Sequence, residues 1–150
     1  MNLYTIGFTK KTARQFFESL KNNNIDLLLD VRLSNKSQLA GFTKSDDLPY
    51  FLEKVCSAAY IHALEYAPTK EILDDYKNKK IKWGDYEQAY FNLINIRDAE
   101  SRFCRDFTKT YALYQNIVLL CSEPTADKCH RRLAAESICR FNNGIQIKHL

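Results

Sequence analysis

The densest concentration of reactive side chains is the pair Cys121-Ser122-Glu123 and Cys129-His130-Arg131-Arg132, separated by a short loop. A thiolate is a nucleophile and a metal ligand, an imidazole moves protons near neutral pH, and a guanidinium holds oxyanions. Cys129 falls in the first turn of a predicted helix, where free N–H groups and the helix dipole lower a thiol pKa. Arg131 and Arg132 add to that effect and fit the same place for phosphate binding. Basic residues at a helix start oppose its dipole, so a compensating anion is expected there. The competing reading is an inward-packed Cys129 with solvated arginines. Cys121 ends an apolar strand, and its type fits a buried packing residue as well as a cleft thiol. Glu123 suits a general base, a partner for Arg131 or an exposed loop acid, and the partner role is preferred. A second group is Asp30-Val31-Arg32. Asp30 and Arg32 alternate, so both can project to one side of a strand end. Arg32 then holds an anion with Asp30 orienting it, or the two form a plain ion pair.

Metal binding is weighed against this. Cys121, Cys129, His130 and His62 are acceptable ligand types for zinc or iron. Their spacing matches no established ligand pattern, and three nearby arginines oppose a cation. No metal and no cofactor is therefore expected. His62, at a predicted strand end, reads more simply as a structural histidine. Cys56, Cys104 and Cys139 lie in predicted helices and read as packing or surface residues.

The elements that position these groups follow from the apolar pattern. Leu3–Gly7 reads as a strand, and Thr9 as the N-cap of a helix over Thr12–Asn22. Ile25–Val31 is an apolar run suited to a strand covered on both faces. Strand, helix and strand within about thirty residues is a crossover unit. A helix from Ser45 or Asp46 to Cys56, a short strand Ala59–Ala63 and a short helix opened by Pro68 follow. Gly84–Arg97 and Ala99–Tyr114 read as two helices, with Phe103, Phe107, Tyr111 and Tyr114 on one face of the second. Ile117–Cys121 is the clearest buried strand, Cys129–Phe141 a helix and Ile145–Leu150 a last strand. This alternation predicts a three-layer, Rossmann-like α/β domain over residues 1–150 with a mostly parallel sheet of about five strands. Sites in such sheets form at the carboxyl ends of strands, which is where Gly7, Asp30–Arg32 and Cys121–Glu123 fall.

The totals set the background. The 150 residues are 45% hydrophobic and 27% charged, with four glycines and three prolines, which excludes collagen-like and low-complexity classes. The longest apolar runs are too short to span a membrane. No basic stretch precedes an apolar run at the N-terminus, so no secretory leader is expected and the expected compartment is cytoplasmic. The five cysteines form no C-x-x-C pair and are expected to be free thiols. A net charge of +4 favours anionic partners only mildly. One local patch is sharper: Lys77-Asn78-Lys79-Lys80-Ile81-Lys82-Trp83, with Tyr76 and Tyr86 nearby, suits a nucleic-acid backbone with base stacking, or is merely a solvated helix end.

Taken together, Tyr4-Thr5-Ile6-Gly7-Phe8, Asp30-Val31-Arg32 with Ser37 after it, Leu119-Leu120-Cys121-Ser122-Glu123, Cys129-His130-Arg131 and Ala134-Ala135-Glu136 resemble the domain-of-unknown-function 488 family (DUF488). The segment Tyr60–Ala67 resembles that family's central stretch. The resemblance covers nearly the whole chain and implies a three-layer α/β domain whose site uses Asp30, Arg32, Cys121, Glu123, Cys129, His130 and Arg131. It departs in lacking a proline after Asp30-Val31-Arg32 and a Gly-rich continuation after Tyr60. A weaker resemblance is to rhodanese-type sulfurtransferases, which share Asp-Val-Arg and a strand ending in Cys. There the following loop is an anion cradle, whereas here it carries Pro124, Glu123 and Asp127 and no glycine.

The resulting expectation is a cleft that binds a phosphate-bearing ligand, a nucleotide or nucleic acid. Arg32, His130 and Arg131 would hold the anion, Cys129 or Cys121 would be the reactive thiol, and Glu123 and Asp30 would orient basic groups or move protons. A thiol enzyme of sulfurtransferase or redox type and a non-catalytic binding or regulatory module are the alternatives. No membrane partner is expected.

Overall fold

The computed structural model describes every residue except Ser37, together with the backbone but not the side chains of Gln38 and Leu39. The Ser37 named in the family resemblance thus lies outside the described residues. The strands are β1 (Asn2–Gly7), β2 (Leu27–Asp30), β3 (Ala59–His62), β4 (Asn116–Cys121) and β5 (Ile147–His149). The helices are α1 (Ala13–Asn22), α2 (Leu48–Phe51), α3 (Lys70–Lys77), α4 (Trp83–Ser101), α5 (Phe107–Thr110) and α6 (His130–Phe141). The strands form one sheet in the order β3-β2-β4-β1-β5, and every pairing is parallel. The α/β class and strand number are as the apolar pattern predicts.

The central strands β2 and β4 are mostly apolar, as Leu27–Leu29 and Ile117–Cys121, which suits strands whose two faces are both covered by helices. Alternation along each strand sorts its side chains between two buried layers. Leu27, Leu29, Ile117, Leu119 and Cys121 pack with Tyr86, Tyr90, Leu133 and Ile138 from α4 and α6. Leu28, Val118 and Leu120 pack with Phe16, Phe17 and Leu20 from α1 and with Leu48 and Leu52. The register is fixed at the sheet's entry edge by Asp26, whose carboxylate accepts the N–H groups of Gln115 (2.8 Å) and Asn116 (3.0 Å). No helix of the described residues is long and apolar enough to cross a membrane.

Three local expectations are corrected. Thr12, not Thr9, caps α1: its hydroxyl accepts the Gln15 N–H while the Gln15 side chain accepts the Thr12 N–H. The helix expected from Ser45 or Asp46 starts at Leu48 and continues past Phe51 as a π turn, Leu52–Cys56. The two helices expected over Gly84–Tyr114 are instead one helix to Ser101 and the short α5. The chain leaves α4 through Arg102, which takes the left-handed conformation (φ 58°). Asp98, buried, then accepts the Cys104 N–H at 2.7 Å and so favours a turn over further helix. Phe103 therefore sits in a turn rather than on a continuous helix face.

Candidate functional site

At the carboxyl ends of the strands, the pleat decides which groups meet. Cys121 is the last residue of β4 and faces α6. Cys129 is the N-cap of α6, in extended conformation (φ −142°, ψ 135°), and caps with no side-chain bond, so its sulfur is free to turn inward. His130 opens the helix. The three are buried, and their Sγ, Sγ and ring nitrogen atoms lie within 4.8 Å of one another. The Cys121 Sγ is 3.8 Å from Nδ1 and 3.6 Å from Nε2 of His130. His130 Nε2 is 2.9 Å from the Val31 carbonyl oxygen, so that nitrogen carries the proton and donates it. Burial lowers the His130 pKa and keeps the ring neutral.

The two thiols differ. Cys121 is pushed below the ordinary thiol range by hydrogen bonding from Cys129, against the opposing effect of burial, with help from the N–H groups of Ser122 and Glu123 and the charge of Arg131. Cys129 is pushed well up, because it gives its proton to that contact and is itself buried. The sequence placed the depressed pKa on Cys129 by its helix position. The structure moves it to Cys121, because Cys129 donates its proton toward the Cys121 sulfur and the Ser122 and Glu123 amides add to that.

Arg131 is the unusual residue. It is only 1% exposed. Its Nη1 donates to the Glu123 carbonyl oxygen (2.6 Å) and to Cys129 Sγ (3.3 Å), and its Nε to Thr5 Oγ1 (3.4 Å). Among the described residues no carboxylate pairs with it. The expected Glu123–Arg131 pairing is thus corrected: the backbone carbonyl of Glu123 meets the guanidinium, and its side chain is exposed. Gly7 makes this fit. A Cβ there would lie 1.7 Å from the Glu123 oxygen and 3.1 Å from Arg131 Nη1. The loop after β4 rests directly on the end of β1.

The Asp30 carboxylate and the Arg32 guanidinium pair on the other face of the sheet, while Arg32 also borders the cavity that opens over the cluster. Arg32 donates from Nε (2.7 Å) and Nη2 (2.6 Å) to the Asp30 carboxylate, and from Nη2 to the Thr43 carbonyl (2.7 Å). Asp30 also accepts the Tyr60 hydroxyl (2.9 Å). Both residues are buried, so this is a closed bidentate pair, and most of Arg32's donors are used inside the fold. His62 is held by the Arg32 carbonyl (2.8 Å) and stands apart from the Cys121 cluster. Arg132 is also neutralised, by Glu136 (2.8 Å) and by a short contact with Glu87 that ties α6 to α4.

A cavity of about 840 Å³ opens over the cluster. Its floor includes Cys121, Cys129 and His130, and its aromatic wall is Tyr76, Trp83 and Tyr86. Trp83 and Tyr86 stack with centroids 5.0 Å apart. Lys70, Lys77, Lys79, Lys82 and Lys128 line it from the rim, and no ion pair engages them among the described residues. The basic–aromatic stretch around Lys77–Trp83 and the thiol cluster are therefore parts of one site. Sequence reasoning treated them separately. The interleaved lysines and aromatics marked the stretch, but only the packing of α3 and α4 beside α6 brings it over β4. Lys70 and Lys128 gave no local signal at all.

A parallel α/β sheet with a thiol–imidazole cluster beneath a basic, aromatic-walled pocket defines the class of protein: a parallel α/β domain with a candidate site at its strand ends. The family profile Domain of unknown function DUF488 matches residues 12–138, and the chain belongs to that family. The opening Tyr4–Phe8 lies outside the matched span. No curated protein and no solved structure matches the chain.

Proposed function

We propose that this protein binds a phosphate-bearing ligand with an aromatic base, a nucleotide or a nucleic-acid end, in the cavity above Cys121. The observation that carries the reading is the convergence of five unpaired lysines and a stacked Trp83–Tyr86 wall on one strand-end cavity. Lysines meet phosphate charge and aromatic faces stack on any base. The anion-holding role expected of Arg32, His130 and Arg131 passes to this rim. Arg32 is closed on Asp30, His130 is neutral and Arg131 points into the fold.

The test uses the single tryptophan as its probe. Titration with nucleotides and short single-stranded oligonucleotides at low salt should quench Trp83 saturably. Affinity should fall as salt rises, with a log–log slope lower by about 1 for each phosphate-contacting lysine removed. Lys79→Gln with Lys82→Gln should weaken binding about tenfold or more while leaving the fold intact. Absence of quenching by any of these ligands on folded protein refutes the reading.

A second reading, thiol chemistry, is favoured by one observation: donors around Cys121 favour its thiolate at the cavity floor. Uniformly slow alkylation of all five cysteines near neutral pH would count against it.

A further inference from the structure

From the mutual placement of Cys121, Cys129 and His130, we propose a zinc(II) site with two thiolates and one imidazole as ligands and a fourth position open to the cavity. Metal–sulfur and metal–nitrogen bonds of about 2.3 and 2.1 Å at tetrahedral angles put neighbouring ligand atoms about 3.6–3.8 Å apart. The Cys121 Sγ to His130 Nδ1 separation is 3.8 Å, and all three ligand atoms lie within 4.8 Å.

Three further features fit a metal. Zinc-binding imidazoles commonly donate their other N–H to a carbonyl or carboxylate, which fixes the tautomer. His130 does so through Nε2 to Val31, leaving the Nδ1 lone pair for the metal. The ligands come from the end of a buried strand and the start of a helix, so they are held by rigid elements. The ligand set is also one that zinc uses with an exchangeable fourth position.

Charge was the objection from sequence, since three arginines lie nearby. The structure removes two of them from the balance: Arg32 is neutralised by Asp30, and Arg132 by Glu87 and Glu136. Arg131 remains, and its Nη1 donates to Cys129 Sγ. Two thiolates, one zinc(II) and Arg131 sum to +1. An anion in the fourth position, hydroxide or a phosphate oxygen from the cavity, completes neutrality. The site is independent of what the rim binds, so either proposal can fail alone.

The test is cobalt(II) titration of the full chain, reduced and stripped with chelator. Cobalt in a thiolate site gives a sulfur-to-metal charge-transfer band and intense visible bands. One equivalent per chain should bind, and zinc should abolish the spectrum. Cys121→Ser and Cys129→Ser should each reduce the charge-transfer band and weaken binding at least about tenfold, as loss of a ligand costs no less than loss of its outer partners. Cys56→Ser and Cys139→Ser should change neither. Where a variant does not fold, alkylation of the unmutated protein decides: zinc should shield Cys121 and leave Cys56 and Cys139 reactive. No charge-transfer band with stoichiometric cobalt on folded protein overturns the site. So does a band that survives in the folded double variant, or zinc that leaves Cys121 as reactive as in the stripped protein. Oligonucleotide quenching of Trp83 in the stripped protein, read in parallel, reports on the rim alone.

Discussion

Gly7→Ala is the most exposing single change in this molecule. Gly7 has no positive φ, so alanine costs nothing in backbone conformation there. The difficulty is the Glu123 carbonyl, whose oxygen would sit 1.7 Å from the new Cβ. Restoring an ordinary contact requires the loop to retreat by about 2 Å. That oxygen is held at 2.6 Å by the buried Arg131 guanidinium, which is itself 3.1 Å from the Cβ position and must also move. Overpacking costs about 1–3 kcal/mol, and weakening a charge-assisted bond to a buried group costs about 1.5–3 kcal/mol. Lower entropy of the unfolded chain offsets about 0.4–1 kcal/mol. The net loss should be about 3 kcal/mol, read as a shift of the urea midpoint at constant slope. In a chain of this length it corresponds to a fall in Tm of about 6–12 °C. The same movement shifts the Ser122 and Glu123 N–H groups, so alkylation of Cys121 should slow relative to the unmutated protein. Gly84→Ala is the control. Nothing lies within 4 Å of its Cβ position in α4, and the change should stabilise by about 0.5–1 kcal/mol. A Gly7→Ala protein within about 1 kcal/mol of the parent would refute the packing argument.

Other expectations follow from the same geometry. Arg32→Met strands the buried Asp30 carboxylate and should cost about 3–5 kcal/mol in urea unfolding, with much of the loss recovered in Asp30→Asn, Arg32→Met. In metal-stripped protein, iodoacetamide labelling followed cysteine by cysteine across a pH series should find Cys121 reacting at lower pH than the other four cysteines. Cys104, buried and pushed up to about 12, should stay silent until the chain unfolds. His130 has its folded pKa lowered by burial, so the unfolded chain binds the extra proton first. Stripped protein should therefore lose stability as pH falls below about 6.5, by up to about 1.4 kcal/mol per pH unit, and hold its full value above that. Urea midpoints across that range check it, and a flat profile opposes it.

The strands were legible because a buried parallel strand needs a largely apolar run: Ile117–Cys121 is unbroken, and Ile25–Val31 is interrupted only by Asp26 and Asp30. Helix α1 was legible from the spacing of Phe16, Phe17 and Leu20, although its cap was misplaced because Thr9 and Thr12 are equivalent until the turn between them is known. The end of α4 was not legible. Asp98 looks like a residue that starts a helix, yet it closes one by accepting the Cys104 N–H. At the site, Cys121, Cys129, His130 and Arg131 were legible because they are local in sequence and fall at a strand end and a helix start. Their separation from Asp30 and Arg32 was not. It depends on strand parity across the sheet, which puts Cys121 on the α6 face and Asp30 with Leu28 and Tyr60 on the α1 face.

That sorting changes what the three arginines mean. In sequence they form one cationic group that favours an anion and opposes a metal. In the fold Arg32 and Arg132 are spent on carboxylates, and only Arg131 brings an uncompensated charge to the thiols. A buried guanidinium is tolerated when something anionic answers it. The nearest groups able to ionise are the two cysteines, and the cavity beyond them is open to ligands. The anion required by Arg131 is thus a thiolate first, and a ligand oxygen only when a metal has drawn the thiolates to itself. Arg131 and the lysine rim therefore do different work: the lysines can bring a phosphate in, while Arg131 touches the Cys129 sulfur and its charge favours the thiolate of the neighbouring Cys121.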